Sequence, residues 1–138
     1  MAELNRRAPQ RGFDPGTGAT AEPYQVRPPR GAFVVAYRGD EPAGCGAVKH
    51  QPGEVSDIKR MWVTESARGL GLGRRLLGHL ERLARDHGAR QVRLETSDVL
   101  PEAIALYRSA GYVEVPPFND EPFADRWFTK PLHDNSRW

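Results

Sequence analysis

Six residues able to hold an anionic group crowd into one stretch: Arg68, Gly69, Gly71, Gly73, Arg74 and Arg75, within 66-SARGLGLGRRLLGHLERLARDHG-88. Glycine lacks the Cβ that would hold a bulky anion away from backbone N–H groups. A helix beginning here supplies such groups, because its first-turn donors lack intrahelical partners and its macrodipole adds positive charge. Three phosphate-binding templates can be tested against the spacing. G-x-x-x-x-G-K-[ST] needs a lysine that this run lacks. G-x-G-x-x-G puts its last glycine on Arg74 when counted from Gly69 and on Leu76 when counted from Gly71, so it fails twice. Arg68-x-x-Gly71-x-Gly73 meets the third pattern, R-x-x-G-x-G between a strand and a helix. A soft turn ahead of a helix is the plainer reading of one G-x-G. Three glycines beside three arginines favour a pyrophosphate seat.

Other reactive side chains are scattered. Cys45 is the single cysteine, so no internal disulfide forms and a reducing, cytoplasmic setting is expected. Lying between two glycines with no partnered base, it reads as a core thiol. His50, His79, His87 and His133 show no metal-ligand spacing with acidic or cysteine partners, so no metal is expected. Residues 59–93 carry nine Lys/Arg against three acids, whereas 94–138 carry four against eight. A basic middle suits an anionic partner and an acidic end suits a cationic one. No set of base-stacking aromatics accompanies the arginines, which disfavours nucleic acid.

These side chains need a scaffold. The 138 residues, 38% hydrophobic and 28% charged, describe one soluble domain, 1–138, with an irregular segment 1–31 and a core 32–132. No run approaches the roughly 18 apolar residues of a membrane helix, and MAELNRRAPQ lacks the apolar stretch of a signal peptide. Within 1–31 a short helical remnant is expected over Ala2–Arg7. Ala32–Tyr37, 43–50 and Val55–Val63 are expected to form a three-stranded meander, joined by turns at 38–41 and 51–54. A helix over Gly71–His87 places Leu72, Leu76, Leu77, Leu80, Leu83, Ala84 and His87 on one arc. Arg74, Arg75, Gly78, Glu81, Arg82 and Arg85 fill the opposite side. The strand Gln91–Thr96 then implies a parallel pair by right-handed crossover. A second helix, Pro101–Ala110, and strands Tyr112–Val115 and Arg126–Lys130 complete an α/β fold with a mixed sheet.

From Asp57 to Gly111 the chain resembles the GNAT superfamily of acyl-CoA N-acyltransferases, through IKRMWV…RGLGLGRRLL and the later AIALYRSAGY. The resemblance implies a GNAT-like fold with splayed central strands and acetyl-CoA as co-substrate. The pyrophosphate would sit on Arg68, Gly69, Leu70, Gly71, Leu72, Gly73 and Arg74, with pantetheine along Met61, Trp62 and Val63. It further implies acetyl transfer to a primary amine of a small-molecule or amino-acid-like acceptor, by direct attack in a ternary complex. Tyr107 matches the position of a tyrosine acid that protonates the departing thiolate. An alkylammonium, with a pKa of about 10, must also lose a proton before it attacks. Asp57 stands where relatives place a glutamate base; Glu95 and Glu54 are rivals. A backbone N–H near Trp62 or Val63 would serve the oxyanion.

The pattern departs from the family in two places. Leu100 stands where many relatives carry an asparagine. Before Ala32, the family's N-terminal strand and first helix are expected to be shortened or missing. An uncovered edge at Ala32–Tyr37 would invite a homodimer, unless the natural chain begins upstream of Met1. The loop 116-PPFNDEPFADRW-127 lies where acceptor loops sit, with Asp120, Glu121 and Asp125 suited to a cationic amine and Phe118 and Phe123 to its apolar part. Two alternatives to an enzyme remain: a non-catalytic acyl-CoA-binding or sensory module, and a structural partner domain using the exposed edge.

Overall fold

β-branched and aromatic residues form strands where the sequence pattern places them. The computed structural model describes residues 2–5, 27–99 and 101–132. Its strands are β1 (Ala2–Asn5), β2 (Gly31–Arg38), β3 (Glu41–Gln51), β4 (Val55–Val63), β5 (Gln91–Thr96), β6 (Val113–Val115) and β7 (Arg126–Pro131). Two helices, α1 (Leu72–Asp86) and α2 (Pro101–Ser109), follow β4 and β5. One sheet runs in the order β1-β2-β3-β4-β5-β7-β6. Strands β1 to β4 are an antiparallel meander, and α1 crosses over to a β5 that lies parallel to β4.

Two expectations about the front of the chain are corrected. Ala2–Asn5 is a strand rather than the start of a helix, and it pairs antiparallel with Val35–Arg38 of β2. Helix-forming residue types lose here because a very short helix cannot recover its nucleation cost, whereas the β2 edge offers a ready ladder. The N-terminal strand is therefore present in shortened form, four residues long, and over the residues that β1 covers no open Ala32–Tyr37 edge is left to pair with a second copy. The remainder of the irregular segment up to residue 26, including the place of the family's first helix, lies outside the described residues, as does Leu100.

Helix α1 lies across β3 and β4 and drives its leucines into the core. Leu76, Leu77 and Leu80 pack with Val48, Ile58, Val92, Leu94 and Phe128, all essentially buried. Close approach depends on Gly44 of β3, where a Cβ would stand 2.9 Å from Leu76 Cδ1 and 2.9 Å from the Trp62 carbonyl oxygen. Two residues depart from the helical arcs. Glu81, expected on the polar side, is buried: it accepts from the Tyr112 hydroxyl at 2.8 Å and pairs with Lys130 at 3.1 Å. His87, expected on the apolar face, is exposed and stacks its ring on His50 at 3.7 Å. Strand β7 brings Lys130 under the helix, which a wheel drawn for one helix cannot anticipate.

Strand β4 contains the feature that shapes the site. Against β3, Cys45 pairs with Trp62 but Ala47 pairs with Lys59, so β4 carries one extra residue. Arg60 takes the left-handed conformation there, with φ 56°. A bulge of this kind inverts the strand's alternation. Ile58 before it and Met61 and Val63 after it all pack toward α1, while Lys59 and Trp62 share the opposite face with Cys45. The Cys45 thiol donates to the Arg60 carbonyl oxygen at 3.3 Å, consistent with a core thiol. Beyond the bulge, β4 leaves β5. Their parallel pairing covers only Val55↔Gln91, Ser56↔Val92 and Asp57↔Arg93, and the two strands then fork.

Candidate functional site

The fork opens onto a cleft of about 400 Å³ between the end of β4, the start of α1 and one side of α2. Met61, Trp62 and Val63 form its floor. Arg68, Gly69, Gly71, Gly73 and Arg74 close one end, and Glu102, Ala103, Leu106 and Tyr107 of α2 form the wall. Eight of the ten residues read from sequence as cofactor-binding thus line one cavity. Leu70 and Leu72 do not: Leu70 is exposed, and Leu72, the first residue of α1, is buried in the core. Alternating glycine with leucine explains the split, since the loop needs its glycines at the cleft and one leucine as an anchor.

The arginine–glycine loop is built for close approach. Gly71 is the N-cap of α1 at φ 79°, a conformation that costs an L-residue about 1–2 kcal/mol. No side chain caps the helix, and no acid occupies its first turn. The first internal bond is Arg75 N–H to the Gly71 carbonyl at 3.1 Å. Donors ahead of it are left to a ligand or to water. An added Cβ at Gly69 or Gly71 would meet nothing within 4 Å, so it would project into open cleft. Arg68 Nε donates to the Val63 carbonyl at 3.3 Å, and Arg74 Nη2 donates to Ser109 Oγ of α2. One guanidinium group is thereby tethered to the end of β4 and the other to α2. These features fit a diphosphate: bare N–H donors, two fixed cations and no Cβ in the way.

Tyr107 comes from the last turn of α2, with its ring tilted against Tyr112 at 5.9 Å and Phe128 at 6.2 Å. Burial, and then the nearby Glu95 charge, push its phenol well above the ordinary range, so it stays protonated. The three rival carboxylates have different surroundings. Asp57 is buried, with Oδ1 accepting from Arg93 Nε at 2.8 Å and Oδ2 from Arg93 Nη2 at 3.2 Å and Gln51 Nε2 at 2.8 Å. Glu54 is an exposed turn residue. Glu95 lies inside the fork, accepting from Lys59 Nζ at 2.8 Å and Asn119 Nδ2 at 2.9 Å. None of the three lines the cleft itself, and of them Glu95 is the one whose charge is felt by Tyr107.

The acceptor-loop residues divide as well. Asp125 accepts from the Ser97 hydroxyl and the Asp98 N–H, pinning the loop to the start of α2. Glu121 faces Lys59 at 3.6 Å. Phe118 lies under the Arg93 guanidinium at 4.3 Å, while Phe123 and Asp120 are exposed. Sequence reasoning passed over Lys59, Asn119, Glu102, Ala103 and Leu106. A charged residue at position 59, two residues after Asp57 and so on the same face of the strand, was the legible signal for the first. Among the described residues, no group of three or more His, Cys, Asp or Glu side chains is placed to hold a metal ion, and no helix is long and apolar enough to cross a membrane.

Comparison with known proteins agrees with this geometry. A family model described as Acetyltransferase (GNAT) family matches residues 1–112. An IAA acetyltransferase of Azospirillum brasilense is 41% identical over 87 residues, covering 62% of this chain and 57% of its own length. The chain spans less than two thirds of the length of the first curated relatives it matches. Among solved structures, a putative acyl-CoA N-acyltransferase of Klebsiella pneumoniae superposes with a TM-score of 0.78 at 28% identity, covering 96% of this chain and 99% of that one. A Bacillus subtilis acetyltransferase solved in complex with CoA shares the fold at 17% identity, with a TM-score of 0.72 over 96% of this chain and 100% of that one.

Proposed function

The chain belongs to the acetyltransferase (GNAT) family, and from that premise we propose that it transfers an acetyl group from acetyl-CoA to a primary amine of a small acceptor. One observation carries the reading: the arginine–glycine loop, the forked end of β4 and Tyr107 line a single cleft. Arg68, Gly69, Gly71, Gly73 and Arg74 would hold the donor's pyrophosphate, and Met61, Trp62 and Val63 would run beside its extended arm. When bound, acetyl-CoA supplies a thioester already activated toward amines.

The chain's own groups then manage two protons. Glu95 receives the proton that the acceptor ammonium must lose, directly or through one water. A backbone N–H near Trp62 or Val63 donates to the carbonyl oxygen as the amine nitrogen bonds to the acyl carbon. As the carbon–sulfur bond breaks, Tyr107 gives its proton to the sulfur and recovers one from the new amide nitrogen. The balance is an amide, a free thiol and one proton returned to water. Asp57 is the weaker candidate, because Arg93 and Gln51 already engage both of its oxygens. The acceptor would approach over the sheet face that carries Trp62 and Lys59, beneath the loop 116–125.

The test is a thermal-shift titration with acetyl-CoA, followed by thiol release with lysine, tryptamine, spermidine and glucosamine as acceptors. A rise in Tm together with thiol release on at least one amine is expected. No shift would overturn donor binding; a shift without release on the panel would overturn transfer to amines of these types.

A further inference from the structure

Two ion pairs of opposite polarity cross from β4 to β5 on one face of the sheet. Asp57–Arg93 lies on the last backbone-paired row, and Lys59–Glu95 lies two residues further along each strand, where pairing has ceased. The second pair therefore spans the mouth of the fork, with Lys59 Nζ 2.8 Å from Glu95 Oε2. Both side chains are nearly enclosed, at 6% and 9% exposure. Enclosing an ammonium and a carboxylate is costly and is repaid only by good geometry and further hydrogen bonds. Those bonds are present. Asn119 donates to Glu95 Oε1 at 2.9 Å and accepts from Trp127 Nε1 at 2.9 Å, while Glu121 reaches Lys59 at 3.6 Å. Asp57–Arg93 already clamps the strands where they pair, so the sheet has little need of a second clamp. What the second pair adds is a carboxylate fixed from two sides at the mouth of the fork.

We propose that Lys59 is a positioning residue for acyl transfer: it reaches across the fork to hold the Glu95 carboxylate at the fork's mouth, and through Glu121 it ties the loop 116–125 to the same point. This rests on the reading that Glu95 takes the acceptor's proton. After burial, the Glu95 charge also raises the Tyr107 phenol, in keeping with that placement.

The experiment measures kcat and KM for acetyl-CoA with the four amines above, in Lys59→Met, Lys59→Arg, Glu95→Gln, the Lys59→Met/Glu95→Gln double variant and the swapped pair Lys59→Glu/Glu95→Lys. Acetyl-CoA affinity and Tm report on folding. Lys59→Met should lower kcat about tenfold to a hundredfold, with KM for acetyl-CoA within about twofold. Lys59→Arg should recover most of the loss, and Lys59→Met should cost almost nothing further once Glu95 is Gln. The swapped pair rebuilds the bridge but moves the carboxylate to β4, so it should bind acetyl-CoA and stay as slow as Glu95→Gln. Recovery of kcat by the swap, or an unchanged kcat in Lys59→Met beside a slow Glu95→Gln, would overturn the role of Lys59 alone. A fully active Glu95→Gln would overturn the Glu95 reading and this one with it, as would absence of thiol release in the parent protein. Should Lys59→Met fail to fold, Lys59→Arg and the swap decide between the same outcomes.

Discussion

Tyr107 shows how placement makes an ordinary side chain useful. A phenol in water loses its proton near pH 10, and here burial and the Glu95 charge both oppose that loss. The group therefore remains a proton donor throughout the range in which an enzyme works. A thiolate with a pKa of about 8.5 asks little of an acid, so the penalty for removing this donor should be moderate. Tyr107→Phe is expected to lower kcat about ten- to a thousandfold, with acetyl-CoA affinity nearly unchanged. Steady-state kinetics beside a calorimetric titration check both halves. Equal losses in affinity and rate would instead make Tyr107 part of the binding wall.

At the scale of elements, the glycines of β3 and the bulge of β4 decide where the cleft lies. Gly44 lets α1 settle on the sheet and lets the Trp62 carbonyl pass close by. The bulge at Arg60 turns Met61 and Val63 toward the helix and Trp62 away from it. Gly44→Ala would put a methyl group 2.9 Å from a backbone oxygen that cannot swing aside as a side chain can. It is expected to cost about 1–3 kcal/mol of stability, read from urea unfolding, and to weaken acetyl-CoA binding by shifting the floor of the cleft. Wild-type stability in that variant would show β4 to be more compliant than this packing implies. Helices and strands themselves were legible in the sequence, because leucine spacing and β-branched runs are local signals. The bulge was not, because it is defined by what stands opposite on β3.

Across the whole molecule, stability should depend on pH through a contact far from the cleft. His50 near the end of β3 stacks on His87 at the end of α1 and shares a hydrogen bond with Ser56 at 2.9 Å. Burial first, and the neighbouring His87 charge second, hold its pKa at about 4 instead of 6.5. Between those values the unfolded chain binds the extra proton, so the contribution of His50 to stability is complete above pH 6.5 and is lost as pH falls toward 4. Thermal melts over that window should show a declining Tm, with a shallower decline in His50→Gln. Parallel curves for the two proteins would assign the decline to other groups.

What the sequence determined by itself was what local chemistry can determine. R-x-x-G-x-G ahead of a leucine-spaced helix marked a loop with an uncapped helix start and open glycines, since helix termini and missing Cβ atoms act within a few residues. The order of strands and helices followed from the periodicities of their apolar residues. Tertiary structure decided everything that depends on a partner distant in the chain. It made Ala2–Asn5 a strand by offering the edge of β2, and it buried Glu81 by bringing Tyr112 and Lys130 to it. It left Asp57 clamped by Arg93 and set Glu95 across the fork from Lys59. A carboxylate's role depends on which charges lie within a few ångströms, and for strands 36 residues apart along the chain, as Lys59 and Glu95 are, that neighbourhood exists only after folding.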